Sequence, residues 1–162
     1  MKKLTALLLC ICLMLGGCAL IADVSTLSGE ELVVALAFPD KDYEDMTPEQ
    51  KAAYIGACLE LEVMNGGLCQ FFANCPDCVG VDDVPAALAE LGAGEHLALY
   101  EAFLADTSID PLDPMFRTED MEEFSRLYDL YPWEEFDEPY CKLTPMARLL
   151  EDYVAAHPKA FE

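Results

Sequence analysis

The sequence predicts an all-α fold, a compact bundle of about six to seven short helices in a single domain. Helix-starting signals recur along the chain, and apolar residues follow them at spacings of three and four. No long segment alternates apolar and polar residues with the period of two that is typical of a strand. The 162 residues are 54% hydrophobic, which excludes a disordered acidic tail.

The first two helices are predicted from capping boxes. Ser28, with Glu31 three residues later, should start a short helix that Pro39 ends. The run Thr47-Pro48-Glu49-Gln50 should start a longer helix that extends to about Met64. That helix is expected to bury Ala52, Ile55, Leu59 and Val63.

Further helices are predicted over residues 68–72, 83–91, 95–105 and 118–131, and from residue 144 onward. Thr118 should cap the fourth of these, and residues 106–117, which contain two prolines, should form a loop. The side chains expected to face the core are Leu97, Tyr100, Leu104, Phe124, Leu127, Tyr128, Met146, Leu149, Leu150, Tyr153 and Val154.

The N-terminus has the parts of a bacterial secretory signal. Lys2 and Lys3 precede an apolar run over residues 6–15, which is too short to span a bilayer, and the chain then reads Leu15-Gly16-Gly17-Cys18. This ending resembles the bacterial lipobox, and the resemblance implies that Cys18 is lipidated. The alternatives are a plain signal peptide, or a core helix with Cys18 an ordinary thiol. We therefore expect a signal peptide over 1–17, a tether over 18–27 and the domain over 28–162, with the protein extracytoplasmic and lipid-anchored to the bacterial cell membrane.

The charge balance is strongly acidic, with 31 Asp and Glu against 9 Lys and Arg and a net charge of -22. Phosphate binding depends on clustered cations, so direct nucleic-acid binding is not expected and a basic protein is the more natural partner. The densest acidic stretch is residues 106–138. A solvated face is the alternative, because acids favour the first turn of a helix anyway. The candidate partner-binding residues are Asp106, Asp110, Asp113, Glu119, Asp120, Glu122 and Glu123.

One segment resembles a known family. Residues 62–74 combine a glutamate, an Asn-Gly-Gly run and a Gln-Phe-Phe run, and an apolar stretch follows at 87–93. This pattern resembles the DNA-mimic protein C-terminal domain family over most of residues 45–155. The resemblance implies an all-α fold and a non-enzymatic acidic binding module, with a homodimer as one option. The chain departs from the family in its lipoprotein signal and in its cysteines. The motif residues are Glu62, Asn65, Gly66, Gly67, Gln70, Phe71, Phe72 and Asn74.

The motif also has a physical interpretation. Gly66 and Gly67 let the chain turn sharply between two helices, and Glu62 could accept hydrogen bonds from the free N–H groups of the second helix. Phe71 and Phe72 are expected to straddle core and surface. On this interpretation the polar residues hold a helix corner together, and the alternative is that they line a cleft for a ligand, including an enzyme site built on Glu62, Asn65 and Gln70.

Five cysteines follow Cys18. Outside the cytoplasm a disulfide within the group Cys69, Cys75 and Cys78 is favoured over thiols, and thiols over zinc. An extracytoplasmic thiol, disulfide or zinc protein built on this group is the alternative function. His96 and His157 are isolated and are expected at the surface or at helix ends, and no catalytic or cofactor motif is present. No metal or cofactor is therefore expected, and the remaining cysteines are Cys58 and Cys141.

Overall fold

The chain folds into helices that pack around one aromatic core. The structure is a computed structural model and describes residues 23–75, 78–118 and 120–162. Within these residues no strand is present, which confirms the all-α prediction. The described part of the chain contains seven helices, which are α1 Gly29–Ala37, α2 Pro48–Asn74, α3 Asp83–Glu90, α4 Gly94–Thr107, α5 Met121–Leu130, α6 Glu134–Tyr140 and α7 Met146–Ala156. Short 3-10 turns lie at Val24–Thr26, Tyr43–Asp45, Pro114–Arg117 and Pro158–Ala160.

Helix α2 is the central element and reverses direction in its middle. Its N-terminal capping box is present as predicted, since the Thr47 side chain accepts from the Gln50 N–H and the Gln50 side chain accepts from the Thr47 N–H. The helix breaks at Gly66 (φ -155°, ψ 17°) and Gly67 (φ 84°, ψ 178°). We call residues 48–64 the first arm, 68–74 the second arm and Asn65-Gly66-Gly67 the corner. This reversal agrees with the predicted turn between two helices.

The second arm carries the centre of the core. Phe72 is 1% exposed, and its ring contacts those of Phe116, Trp133 and Tyr100 at centroid distances of 5.4, 6.1 and 6.3 Å. Phe71 is likewise 1% exposed. The expectation that both rings straddle core and surface is therefore wrong, because α4, α6 and the 114–117 turn enclose the second arm.

Two predicted caps are replaced by other groups. Ser28 makes no side-chain cap bond, and the Gly29 N–H donates instead to Glu151 Oε1 on α7 at 2.7 Å. Asp120, not Thr118, caps α5, because its Oδ1 accepts from the N–H of Glu122 at 2.8 Å. In both cases the helix begins close to the predicted place, but a different oxygen satisfies its first N–H groups.

Two features of the helical core differ from the sequence analysis. Helix α4 buries His96, Tyr100 and Phe103, whereas Leu97 and Leu104 are only partly buried. His96 is 2% exposed, so its expected surface position is wrong, and its ring lies edge-on to Tyr140 of α6 at 5.1 Å. Helix α6 was not predicted, because it is seven residues long and contains Pro139.

Helix α7 agrees closely with the sequence analysis, whereas α5 does not. Tyr128 of α5 is 43% exposed and Phe124 only partly buried, so the expected core position of Tyr128 is wrong. Helix α7 buries Met146, Leu150, Tyr153 and Val154, while Leu149 is partly buried. His157 follows α7, and its Nδ1 lies 2.9 Å from the Tyr153 carbonyl oxygen, which agrees with a helix-end histidine. Residues 1–22, including Cys18, lie outside the described residues, as do Glu119 and the side chain of Leu127. No helix in the described ranges combines the length and apolar character that crossing a bilayer requires.

The capping box of α2 gives a direct test of this fold. We expect Thr47→Ala to lower the free energy of unfolding by about 1 kcal/mol, because the Gln50 N–H loses its acceptor. Ser28→Ala is the matched control and should change it by less than about 0.5 kcal/mol, since the Ser28 side chain caps nothing. Urea unfolding followed by circular dichroism measures both. Equal losses would contradict this assignment of the caps.

Candidate functional site

The corner is held closed from inside α2 by Glu62. Its Oε2 accepts from the side-chain amides of Gln70 at 2.6 Å and Asn74 at 2.8 Å. Glu62 therefore joins the two arms through side chains, not through the backbone N–H groups that the sequence analysis assigned to it. Asn65 is exposed at the outside of the corner.

The backbone cap of the second arm comes from α6. Asp137 Oδ1 accepts from the Leu68 N–H at 2.8 Å, and its carboxylate lies directly against Gly67. Burial raises the pKa of the Asp137 carboxyl, and the Leu68 N–H opposes that rise. A half-buried carboxylate at a helix N-terminus satisfies an N–H group of a buried residue, here Leu68. Sequence reasoning missed Asp137, because 69 residues separate it from Leu68 and no local pattern marks it.

A second contact covers the corner from α5. The Tyr128 hydroxyl donates to the Gly66 carbonyl oxygen at 2.9 Å and also hydrogen-bonds the thiol of Cys69. Burial raises the pKa of Cys69 to about 12, and the nearby charge of Asp137 adds to the rise. The polar groups of the corner are thus directed mainly at one another, which favours the helix-corner interpretation over a ligand cleft.

Three candidate partner-binding acids, Asp110, Asp113 and Asp120, lie in the turns between α4 and α5. Asp110 and Asp113 each accept a backbone N–H two residues later, at 2.9 Å, and Asp120 caps α5. These bonds fix the local turns. Asp106 is exposed near the end of α4.

Glu122 and Glu123 extend this acidic row along the first turn of α5. Glu122 pairs with Arg126 at 2.7 Å, and Glu123 accepts from the Thr118 hydroxyl at 2.8 Å. Both glutamates are exposed, and so is Arg126. We call Asp106, Asp110, Asp113, Asp120, Glu122 and Glu123 the acidic face. It adjoins the corner, because Tyr128 of the same helix reaches Gly66.

The cysteines do not form the expected disulfide. The five described cysteines are thiols, and no disulfide joins any two of them. The thiol of Cys69 lies near Tyr128 and Asp137. Cys75 and Cys78 instead lie near Cys58 and Tyr54, where they add to the rise in pKa that burial gives both groups. The predicted group of Cys69, Cys75 and Cys78 is therefore divided between two environments. No cluster of three metal-ligating side chains is found among the described residues.

Comparison with protein families decides the affiliation of the domain. A family model described as DMP19-like protein matches residues 44–157, which is more than half of the chain. The chain belongs to the DMP19-like protein family. This confirms, at the level of the family, the resemblance to DNA-mimic domains seen in the sequence. Neither the curated proteins nor the solved structures include a match to the chain.

The DMP19-like region contains both the corner and the acidic face. It begins within the Tyr43–Asp45 turn and ends at His157, directly after α7. Helix α1 lies outside the matched region and packs against α2 and α7. The family match therefore covers every residue that closes the corner.

Replacing Gly67 tests the corner. Gly67→Ala forces a left-handed conformation on a residue with a Cβ, and that Cβ would collide with the Asp137 carboxylate. We expect the free energy of unfolding to fall by about 3 kcal/mol, because the strain is added to the loss of the part-buried bond from Leu68 to Asp137. Gly92→Ala is the matched control, since Gly92 has a φ of 67° but open space around it, and it should lose about 1 kcal/mol. Equal losses in denaturant unfolding would show that contact with Asp137 does not matter.

Proposed function

We propose that this chain is a lipid-anchored, extracytoplasmic acidic protein that acts as a non-enzymatic binding module for a basic protein. The carrying observation is the acidic face, where Asp120, Glu122 and Glu123 are exposed in the first turn of α5 and have Arg126 as a neighbouring cation. The match to a family of DNA-mimic domains also supports a basic protein as the partner.

The density of these charges along the helix axis is close to that of duplex DNA. A helix rises about 1.5 Å per residue, so three carboxylates within four residues follow one another over about 5 Å of its axis. Duplex DNA carries one charge per about 1.7 Å of axis, which is a similar linear density. Asp106 and Asp110, near the end of α4 and in the turn after it, are exposed as well. Binding through such a face is fast and weakens with salt.

The remaining chemistry of the described residues favours binding over catalysis. His96 is packed against Tyr140, and His157 lies at the end of α7. The carboxylate of Asp137 is engaged with Leu68, and Cys69 has a pKa that keeps its thiol protonated near neutral pH. These groups act in packing and capping.

The proposed anchor restricts where the partner is found. A protein held on the outer side of a membrane by Cys18 cannot reach a cytoplasmic regulator. We therefore propose that the partner is a basic protein at the cell surface, recognised by the charge pattern that DNA presents to its own ligands. In this proposal residues 1–17 are the signal peptide and Cys18 begins the tether, which leads into the Val24–Thr26 turn packed against α1 and α7.

Charge-neutral variants test the acidic face, with a lysine-rich helical peptide as the probe. We expect Glu122→Gln with Glu123→Gln to weaken peptide binding about tenfold, because two exposed charges next to the ligand are removed. Asp120 is left in place because it caps α5. Isothermal titration at low and at physiological salt measures the affinity.

The control pair is Glu30→Gln with Glu31→Gln, exposed acids in the first turn of α1. This pair removes the same charge from another helix and should change the affinity less than about twofold. If both pairs weaken binding equally, the affinity follows net charge alone and the acidic face is not the binding surface.

Lipidation is tested separately on cells grown with a labelled fatty acid. The native chain should carry the label and sediment with membranes, whereas Cys18→Ala should lose both, because the thioether to the lipid cannot form. Cys10→Ala is the control, since it changes another cysteine of the apolar run and should behave as the native chain does. An unlabelled native chain that stays in the soluble fraction would contradict the anchor.

A further inference from the structure

The reversal of α2 brings three cysteines into one neighbourhood. Cys58 lies on the first arm and Cys75 directly follows the second arm. In a straight helix their separation of 17 positions would span about 25 Å. Because the arms fold back on each other, Asn74 is bonded to Glu62, which is one helical turn from Cys58. Cys75 and Cys78 are accordingly close enough to Cys58 to influence its titration.

Cys78 is the accessible member of this group. It is exposed and lines an open groove of about 400 Å³ together with Phe38, Tyr43 and Tyr54. Tyr43 and Tyr54 pack against each other at a centroid distance of 5.7 Å. The groove therefore has an aromatic wall that ends at a thiol.

The groove also carries charges of both signs. Lys41 lines it and donates to Gln50 Oε1 at 3.1 Å, and Asp42 and Glu44 lie on the same rim. A cation near two carboxylates suits a zwitterion, which has a carboxylate and an ammonium of its own. Low-molecular-weight disulfides made from amino acids have this charge pattern.

The other two thiols differ in accessibility. Cys75 is half-buried and lies beside Phe71 and Phe72 at the edge of the core. Cys58 is packed under Tyr54, whose hydroxyl hydrogen-bonds its sulfur, and burial raises the pKa of Cys58 to about 12. Because the thiolate is the attacking species, Cys58 is a poor nucleophile near neutral pH.

We propose that Cys78 and Cys75 form a thiol–disulfide exchange site for a low-molecular-weight zwitterionic disulfide that occupies the groove. The Cys78 sulfur attacks one sulfur of the disulfide, forms a mixed disulfide and releases one small thiol. The Cys75 sulfur then attacks the Cys78 sulfur, forms the Cys75–Cys78 disulfide and releases the second small thiol. The two protein thiols lose two electrons and two protons in total. The small disulfide gains these electrons and protons as it is reduced to two small thiols. This site is independent of the acidic face.

The test uses the reduced chain from residue 19 onward in its native sequence, with cystine as the probe. Timed samples are quenched with acid and their cysteine peptides are identified by mass spectrometry. The native chain should form the Cys75–Cys78 disulfide and release two equivalents of free cysteine. Cys75→Ser should stop at cysteine bound to Cys78, and Cys78→Ser should react at neither position.

Cys141 provides the internal control, because it is an exposed thiol near the end of α6, away from the groove residues. We expect Cys78 to react about tenfold faster than Cys141, and Cys58→Ser to leave the reaction of Cys78 unchanged. Equal rates at Cys78 and Cys141 would overturn the proposed site. A disulfide that includes Cys58, or a native chain that stops at the mixed disulfide, would overturn the assignment of Cys75.

Discussion

The left-handed backbone at Gly67, with the Asp137 carboxylate against it, is the constraint on which the rest of the structure depends. Without a Cβ the chain can reverse there, and the reversal leaves the Leu68 N–H to be capped by Asp137. The second arm then carries Phe72 into the ring cluster of Phe116 and Trp133. A single glycine conformation thus links α2 to α6 and directs the largest side chains inward.

Helix α6 shows how so acidic a chain keeps a stable core. Phe136 is fully buried, whereas its neighbours Glu134 and Glu135 are exposed. The Tyr140 hydroxyl donates to Glu60 Oε2 at 2.8 Å, so that a carboxylate of α2 is satisfied by a buried aromatic residue. Aromatic burial offsets the repulsion among the surface charges, and that repulsion is spread over faces where water and salt screen it.

Local signals predicted much of the fold. Three of these signals depend only on neighbouring residues, and the structure confirms each of them. They are the Thr47 capping box, the glycine reversal and the apolar spacing of α7. Asp137 and Tyr128 could not be assigned to the corner in this way, because their partners Leu68 and Gly66 are more than sixty residues away. His96 was misplaced for the same reason, since only the position of α6 decides which face of α4 is buried. A side chain that hydrogen-bonds a backbone group far away in the chain produces no periodic pattern in the sequence.

The corner couples two regions that differ in chemistry. On one side it holds α5, through the bond from Tyr128 to Gly66, and so positions the acidic face. On the other side it returns the second arm along the first and so brings Cys75 and Cys78 to Cys58. Removing surface charges from α5 acts on the first region only, and replacing Cys78 acts on the second only. A change at Gly67 acts on both, because the two regions share the one reversal of α2 and have no other common support among the contacts described above.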